Sequence, residues 1–201
     1  YFNENDFVAV TGEVRQLSSE LAKGKTSAVE KARAFYDYLF ENMTYDKTEP
    51  GWGEGDIKRV CLVKKGNCTD FHSFFIALCR AGGIASKFVM GVGLPEKDKA
   101  DISGYHCWAE FYDPRYGWIP VDISEAWKNK NRYEYFFGAV DEKRVEFTQG
   151  RGIVLVPSPQ NGEALNYFIY PYVEIDGKRS DDVETAFISR RYYAGKKGGG
   201  R

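Results

Sequence analysis

The chain reads as an α+β fold, with a helical part followed by antiparallel strands, and three observations carry that reading. First, an apolar-periodic helix starts at or beside Cys68, with Phe71, Phe74, Phe75, Leu78 and Cys79 recurring at spacings of three and four. Second, three runs rich in aromatic and β-branched residues follow it directly: Ala85 to Val92, Gly104 to Tyr112 and Gly117 to Ile123. Third, Asp113-Pro114-Arg115-Tyr116-Gly117 separates the last two runs with turn residues, which predicts a β-hairpin.

The remaining elements are weaker. Phe7 to Val14 alternates weakly, as extended chain does, and Thr26-Ser27 caps a helix running to about Phe40. Gly51 to Gly55 is a glycine-rich loop, and the charged stretch from Leu94 to Gly104 is expected to be exposed. Later strands are predicted at Arg144 to Phe147, Ile153 to Val156 and Tyr167 to Ile175, with Pro157 to Gly162 as a connecting loop. At 201 residues, 43% of them hydrophobic and 16% aromatic, the chain is long enough to bury its own core. Residues 1–194 are therefore expected to form a single domain, followed by a mobile Gly/Lys-rich tail over residues 195–201.

Charge and motifs exclude several function classes. A net charge of −1 gives no electrostatic case for nucleic acid or an anionic membrane surface. No apolar run has the length of a membrane span. The chain begins without a methionine, which leaves room for an upstream signal segment and an extracytoplasmic location. Gly51-Trp52-Gly53-Glu54-Gly55 lacks the spacing and the lysine of a phosphate-binding loop. Cys61, Cys68, Cys79 and Cys107 match no zinc pattern, and four cysteines in a chain of this length do not make a disulfide scaffold, although a Cys61–Cys107 bridge stays open. Cys79 and Cys107 read as packing residues.

Cys68 is different because of its position. The first N–H groups of a helix lack internal partners and carry partial positive charge, so a thiol there is drawn toward its thiolate. A nucleophile needs a base, and the chain offers two histidines. His72 lies four residues along the same helix, where its side chain is poorly placed to face the helix start. His106 lies on the first strand of the hairpin. If Tyr112 pairs with Tyr116, then Trp108 pairs with Pro120 and His106 with Asp122, which would bring the imidazole and a carboxylate face to face. A one-residue slip would send them to opposite faces. Cys68, His106 and Asp122 are thus the candidate nucleophile, base and orienting acid.

These residues resemble a known family. GNCTDFHSFFIALCRAGGIASKFVMG, YHCWAEFY and GWIPVDISEAW are similar to the transglutaminase-like core, a papain-related arrangement of cysteine, histidine and aspartate. The resemblance runs from about Ile57 to Trp127. Cys68 matches the nucleophile, Arg80 to Ala85 the helix-to-strand segment, His106 and Trp108 the histidine-x-tryptophan pair, and Trp118 with Val121-Asp122 the last element. Segments at Phe136 to Val145 and Leu165 to Glu174 are similar to bacterial transglutaminase-like proteins of unassigned substrate. The resemblance implies a papain-like fold, with the nucleophile at the N-terminus of a central helix packed on an antiparallel sheet.

The expected chemistry is thiol-dependent acyl transfer or hydrolysis at an amide of a peptide or protein substrate, with no metal or organic cofactor. Hydrolysis is favoured, because nothing marks a lysine-accepting site or a calcium-binding carboxylate cluster. Trp52, Trp108 and Tyr45 are the candidate substrate-binding residues, with Trp108 as a wall beside the imidazole and Trp52 or Tyr45 as a second oxyanion donor. The alternative is a non-catalytic peptide- or glycan-binding module with a vestigial triad. Oligomeric state is not legible.

Overall fold

A computed structural model describes residues 8–102, 104–159 and 162–192. The first helix among the described residues, α1 (Gly12–Leu21), lies where weak alternation suggests extended chain. Thr11 accepts the Val14 N–H as N-cap, and Val14 and Ser18 bury a four-residue stripe, so capping and helical period win over a short alternation. Phe7 lies outside the described residues. α2 (Ala28–Asn42) begins at the predicted Ser27, where Ser27 and Glu30 form a reciprocal capping box, and it buries Ala32, Phe35, Tyr36 and Leu39. β1 (Thr44–Tyr45), α3 (Ile57–Val63) and β2 (Lys65–Gly66) follow, with β1 and β2 paired in parallel.

The next helix, α4 (Cys68–Ala81), is the centre of the molecule. Every residue from Cys68 to Cys79 is buried, and the helix packs against α1, α2 and α3 as well as the sheet. Its aromatic and aliphatic residues are covered on every side, and its first turns also bury Thr69, Asp70, His72 and Ser73. β3 (Ser86–Gly93), β4 (Lys99–Asp101), β5 (His106–Asp113) and β6 (Gly117–Val121) come next, then α5 (Ile123–Lys128), a short 3-10 turn at Lys130–Arg132, and β7 (Arg144–Gln149). The antiparallel sheet has the order β6-β5-β3-β7. β7 approaches Gly91 so closely that a Cβ there would sit 2.1 Å from the Val145 carbonyl oxygen. Only glycine fits at that position, where the β3–β7 register also shifts.

Two sequence expectations in this region need correction. The hairpin pairs Tyr112 with Trp118 and Glu110 with Pro120, two residues away from the expected register, because Asp113 closes the turn on the Arg115 N–H and pairs with Gly117. A two-residue shift equals one pleat period, so it changes partners without changing faces. The second strand also stops at Val121 rather than Ile123. Asp122 accepts the Glu125 N–H and starts α5, a helix the sequence reading did not anticipate.

Beyond β7 the chain is largely irregular. Ile153 to Val156 was expected as a strand but makes only one bridge, Ile153 to Leu165, in a segment bounded by positive-φ Gly150 and Gly152 and by Pro157. Of Tyr167 to Ile175 only β8 (Glu174–Ile175) is extended, paired with β9 (Lys178–Arg179). Pro171 interrupts the rest, and its rings pack instead, Tyr167 against Tyr105 and Tyr170 against Phe187. The exposed Leu94 to Gly104 stretch contains β4, which pairs antiparallel with β10 (Ile188–Arg190). Gln160 and Asn161 of the predicted loop, and the tail over residues 195–201, lie outside the described residues. Among the described residues, no helix is long and apolar enough to cross a membrane.

Candidate active site

Local hydrogen bonding fixes Cys68 at the first turn of α4. Asn67 is the N-cap and accepts the Thr69 N–H at 2.8 Å, while the Asp70 carboxylate accepts the Asn67 N–H at 2.8 Å. The same carboxylate accepts the N–H groups of Gly53 at 2.7 Å and Gly55 at 3.1 Å, so it ties the Trp52 loop to the start of the helix. Gly66 is required beside it, because a Cβ there would meet Asp70 at 2.1 Å. Burial pushes the Asp70 carboxyl upward against the pull of these three N–H groups.

His106, on β5, faces Asp122. Its Nε2 lies 2.6 Å from Asp122 Oδ2, which leaves Nδ1 as the ring nitrogen available to Cys68. Arg144 of β7 donates through Nη1 to the same Asp122 oxygen at 2.5 Å. Ser124 Oγ and the Glu125 N–H donate to the other oxygen at 3.0 and 2.9 Å. The carboxylate is fully buried and fully used. Burial would raise its pKa, yet His106, His72 and Arg144 together hold it well below the usual carboxylate range. For His106 burial works downward, but Asp122 and Cys68 outweigh it and push the imidazole up to about 10. Cys68 is held well below an ordinary thiol by the polar Cys107 thiol and then by His106, against the opposing effect of burial.

His72 occupies the far side of Asp122. It is fully buried, its Nε2 accepts the Ile123 N–H at 3.1 Å, and the same atom lies 3.5 Å from Asp122 Oδ1. Burial pulls this imidazole down to about 4. Cys107, read from the sequence as packing, lies with its sulfur 3.8 Å from His72 Nδ1 and 3.9 Å from Thr69 Oγ1. All four cysteines are free thiols, so the Cys61–Cys107 bridge left open by the sequence is absent.

Two clefts flank the site and share Tyr105. One, of about 650 Å³, is walled by aromatic and aliphatic side chains including Trp52, Tyr167 and Tyr170. The other, of about 950 Å³, is charged and includes His106, Tyr45, Lys128 and Arg144. Of the three proposed substrate-binding residues, Trp52 lines the first cleft and Tyr45 the second, where the Lys128 ammonium sits 4.2 Å from the Tyr45 ring centre. Trp108 lines neither. It is buried and stacks beside His106 with ring centres 6.5 Å apart. Sequence reasoning missed Arg144, Cys107 and the back contact of His72. Arg144 lies in the Phe136 to Val145 segment already noted as similar to other proteins, but nothing in that segment linked it to Asp122.

This assembly, a thiol at a helix start backed by an imidazole from an antiparallel sheet and a carboxylate just beyond its edge strand, defines a papain-like fold class. The chain belongs to the transglutaminase-like superfamily, whose family model matches residues 15–123. It is 30% identical over 210 residues to an uncharacterized protein of Haemophilus influenzae, covering 88% of this chain and 57% of the relative. It is 29% identical over 133 residues to an uncharacterized protein of Mycobacterium tuberculosis, covering 62% of this chain and 42% of that one. The chain thus spans about half the length of these relatives. Among solved structures, a candidate cysteine protease of Cytophaga hutchinsonii is similar at a TM-score of 0.56 and 18% identity, over 74% of this chain and 45% of that chain. The periplasmic domain of TgpA from Pseudomonas aeruginosa is similar at a TM-score of 0.50 and 20% identity, over 66% of this chain and 48% of that one.

Proposed function

We propose that this chain is a thiol hydrolase or acyltransferase acting on an amide of a peptide or protein, with Cys68 as nucleophile, His106 as base and then acid, and Asp122 as the group that orients His106. One observation carries the reading: His106 is held 2.6 Å from Asp122 Oδ2 through Nε2 while its ring acts on the Cys68 thiol at the start of α4, drawing the thiol down as the thiol draws the imidazole up. In the first half-reaction the Cys68 thiolate adds to the amide carbonyl, and the Cys68 N–H at the start of α4 donates to the oxyanion. The tetrahedral intermediate collapses as His106 gives its proton to the departing amine, leaving a thioester on Cys68. Water, deprotonated by His106, then attacks the thioester and releases the acid. An amine in place of water gives transamidation, and hydrolysis is the preferred reading because no lysine-accepting subsite is recognisable. Residues 1–194 would act as one unit, and the periplasmic origin of a similar fold supports an extracytoplasmic site of action.

A specific observation favours the second reading, a non-catalytic binding module: Cys68 is 2% exposed, so the open space of the cleft reaches the His106 ring and not the sulfur. The pH dependence of iodoacetamide alkylation at Cys68, located by peptide mapping in the unmodified chain and in His106→Ala, separates the two. The enzymatic reading expects rapid labelling below about pH 7 that is lost in the variant. Labelling that rises only near about pH 8.5 in both, or not at all, selects the binding module. Incubation with peptide amides, with and without a primary amine, then distinguishes released acid from a new amide.

A further inference from the structure

The order in which bonds break assigns each of the two clefts to one half of the substrate. His106 gives its proton to the departing amine, so the amine nitrogen must lie against the imidazole. His106 borders the charged cleft and is absent from the walls of the aromatic one. We propose that the charged cleft takes the amine side of the amide and the aromatic cleft takes the acyl side, where it selects a peptide with an aromatic or aliphatic side chain before the scissile carbonyl. The inference rests on the reading of Cys68 as nucleophile and names the substrate which that reading leaves open. The acyl group stays in the aromatic cleft as the thioester, the amine leaves through the charged one, and water enters where His106 can deprotonate it.

Cys68 lies at the junction of the two clefts. Asn67 Nδ2 donates to the Tyr105 hydroxyl at 2.8 Å and Thr69 Oγ1 donates to it at 3.3 Å, so the neighbours of the nucleophile on both sides hold the tyrosine that the clefts share. Gly53 lines the aromatic cleft, and a Cβ there would stand 3.1 Å from Asn67 Nδ2 and 3.3 Å from the Tyr105 hydroxyl. The aromatic cleft thus ends against the N-cap of α4, and the charged cleft against the base. One wall of the aromatic cleft is the Trp52 loop; the other comes from residues 165–173, beyond the residues 15–123 that the family model matches. Arg151 braces the two. It is buried, and its Nη1 donates to the Gly55 carbonyl at 3.1 Å and to Ser73 Oγ of α4 at 2.6 Å, while its Nε donates to Asn166 Oδ1 at 2.8 Å. Asn166 Nδ2 donates in turn to the Glu54 carbonyl at 3.0 Å. Tyr167 and Tyr170 rest on the Tyr105 ring at 5.3 and 6.5 Å between centres. Walls fixed in this way favour burial of an apolar side chain. Among the described lining residues the charged ones are Glu54, Arg179 and Asp181, and the last two pair with each other at 2.8 Å. An acidic side chain therefore finds no cation to meet it and is the least suited occupant.

The test uses acetyl-dipeptide chloromethyl ketones, which present only an acyl side and mark Cys68 as its thiolate displaces chloride to form a C–S bond. Probes carry Phe, Leu, Lys or Asp at either residue. The rate of Cys68 modification is read by peptide mapping and expressed relative to iodoacetamide in the same protein. Phe and Leu probes should exceed the Asp probe by at least about tenfold, with Lys between them. The preference should collapse in Tyr170→Ala; Trp52→Ala, on the opposite wall, carries the same readout should the first variant fail to fold. Both side chains are exposed at the cleft. Equal rates across the probes, or a preference retained in both variants, overturn this inference alone when iodoacetamide still labels Cys68 rapidly below about pH 7 in a His106-dependent way. A preference lost instead in Tyr135→Ala, whose ring lines the charged cleft, reverses the assignment of the clefts and overturns it too. Ordinary thiol behaviour toward iodoacetamide, unmoved in His106→Ala, removes the nucleophile reading and this inference with it.

Discussion

The two sides of the Asp122 carboxylate present the same kind of group in two different states. On one side His106 lies 2.6 Å from Oδ2 and is pushed up to about 10; on the other His72 lies 3.5 Å from Oδ1 and is pulled down to about 4. His72 is fully buried and His106 borders the cleft, yet burial pulls both rings in the same direction. The difference lies in where each nitrogen's proton can go. Oδ1 is filled by Ser124 and the Glu125 N–H, and His72 Nε2 is already accepting from Ile123, so His72 has no proton to offer that oxygen. Oδ2 accepts charged donors from His106 and Arg144. Nearness to a carboxylate does not ionise a histidine; a free donor position facing the carboxylate does.

Removing the shared carboxylate should have the largest effect. Asp122→Ala takes the buried carboxylate away from His106 and from Arg144, which keeps only Asp141 at 3.4 Å, and breaking a buried pair in this way costs about 3–5 kcal/mol. Urea denaturation at pH 7 should show that loss, and Cys68 alkylation at pH 6 should slow sharply. Asp122→Asn keeps an oxygen to cap α5, so it separates the helix cap from the charge. It should fold better than the alanine variant and still lose the low alkylation midpoint. If Asn behaves like the unmodified chain in alkylation, the charge on Asp122 is not what sets His106 apart from His72.

The second prediction uses pH to separate the two rings. His106 is raised in the folded state from its ordinary 6.5, so its contribution to stability is full below about 6.5 and is lost as pH rises through about 10. His72 is lowered, so the unfolded chain takes up a proton first and stability falls as pH drops from about 6.5 toward about 4. Asp122, held low, adds to the acid limb only below the ordinary carboxylate range, where its stabilising contribution is lost as it protonates. Cys68, held well below its ordinary value of 9.0, works the other way and offsets the His106 limb up to about pH 9. Stability measured by urea titration should therefore rise from about pH 4 to about 6.5, stay level, and fall above about pH 9, with each proton contributing a slope of up to about 1.4 kcal/mol per pH unit. His106→Gln should flatten the alkaline limb alone and His72→Gln the acid limb alone. If one variant flattens both limbs, the two rings titrate as one unit and the contrast between them fails.

The contrast was only half legible in the sequence. Cys68 at a helix start could be read because Asn67 and the spacing of Phe71, Phe74 and Phe75 are local signals. His106 and Asp122 could be read onto one face because a strand has period two, and that parity survived a register that was wrong by two residues. The start of α5 was missed although Asp122 and Glu125 have N-cap spacing, because Gly117 to Ile123 reads as one strand run. Arg144 and Cys107 depend on contacts across the sheet and onto α4 that no local spacing encodes. The segment after β7 was misread because its alternating aromatic residues pack ring against ring rather than pairing backbones.

The smallest expected effect tests whether the quiet side of Asp122 is only structural. Ser124 is buried and donates to Oδ1 at 3.0 Å, the oxygen near His72, and does not touch His106. Ser124→Ala removes one hydrogen bond to a charged acceptor while Oδ1 keeps the Glu125 N–H, so the loss should be about 1 to 2 kcal/mol in urea denaturation. The alkylation midpoint of Cys68 should stay where it is, because the His106 and Arg144 contacts on Oδ2 are untouched. The two measurements read different sides of one carboxylate. A midpoint that moves together with stability in Ser124→Ala would mean that the two oxygens are electrically equivalent to His106, and the contrast between the histidines would then have to come from the deeper burial of His72.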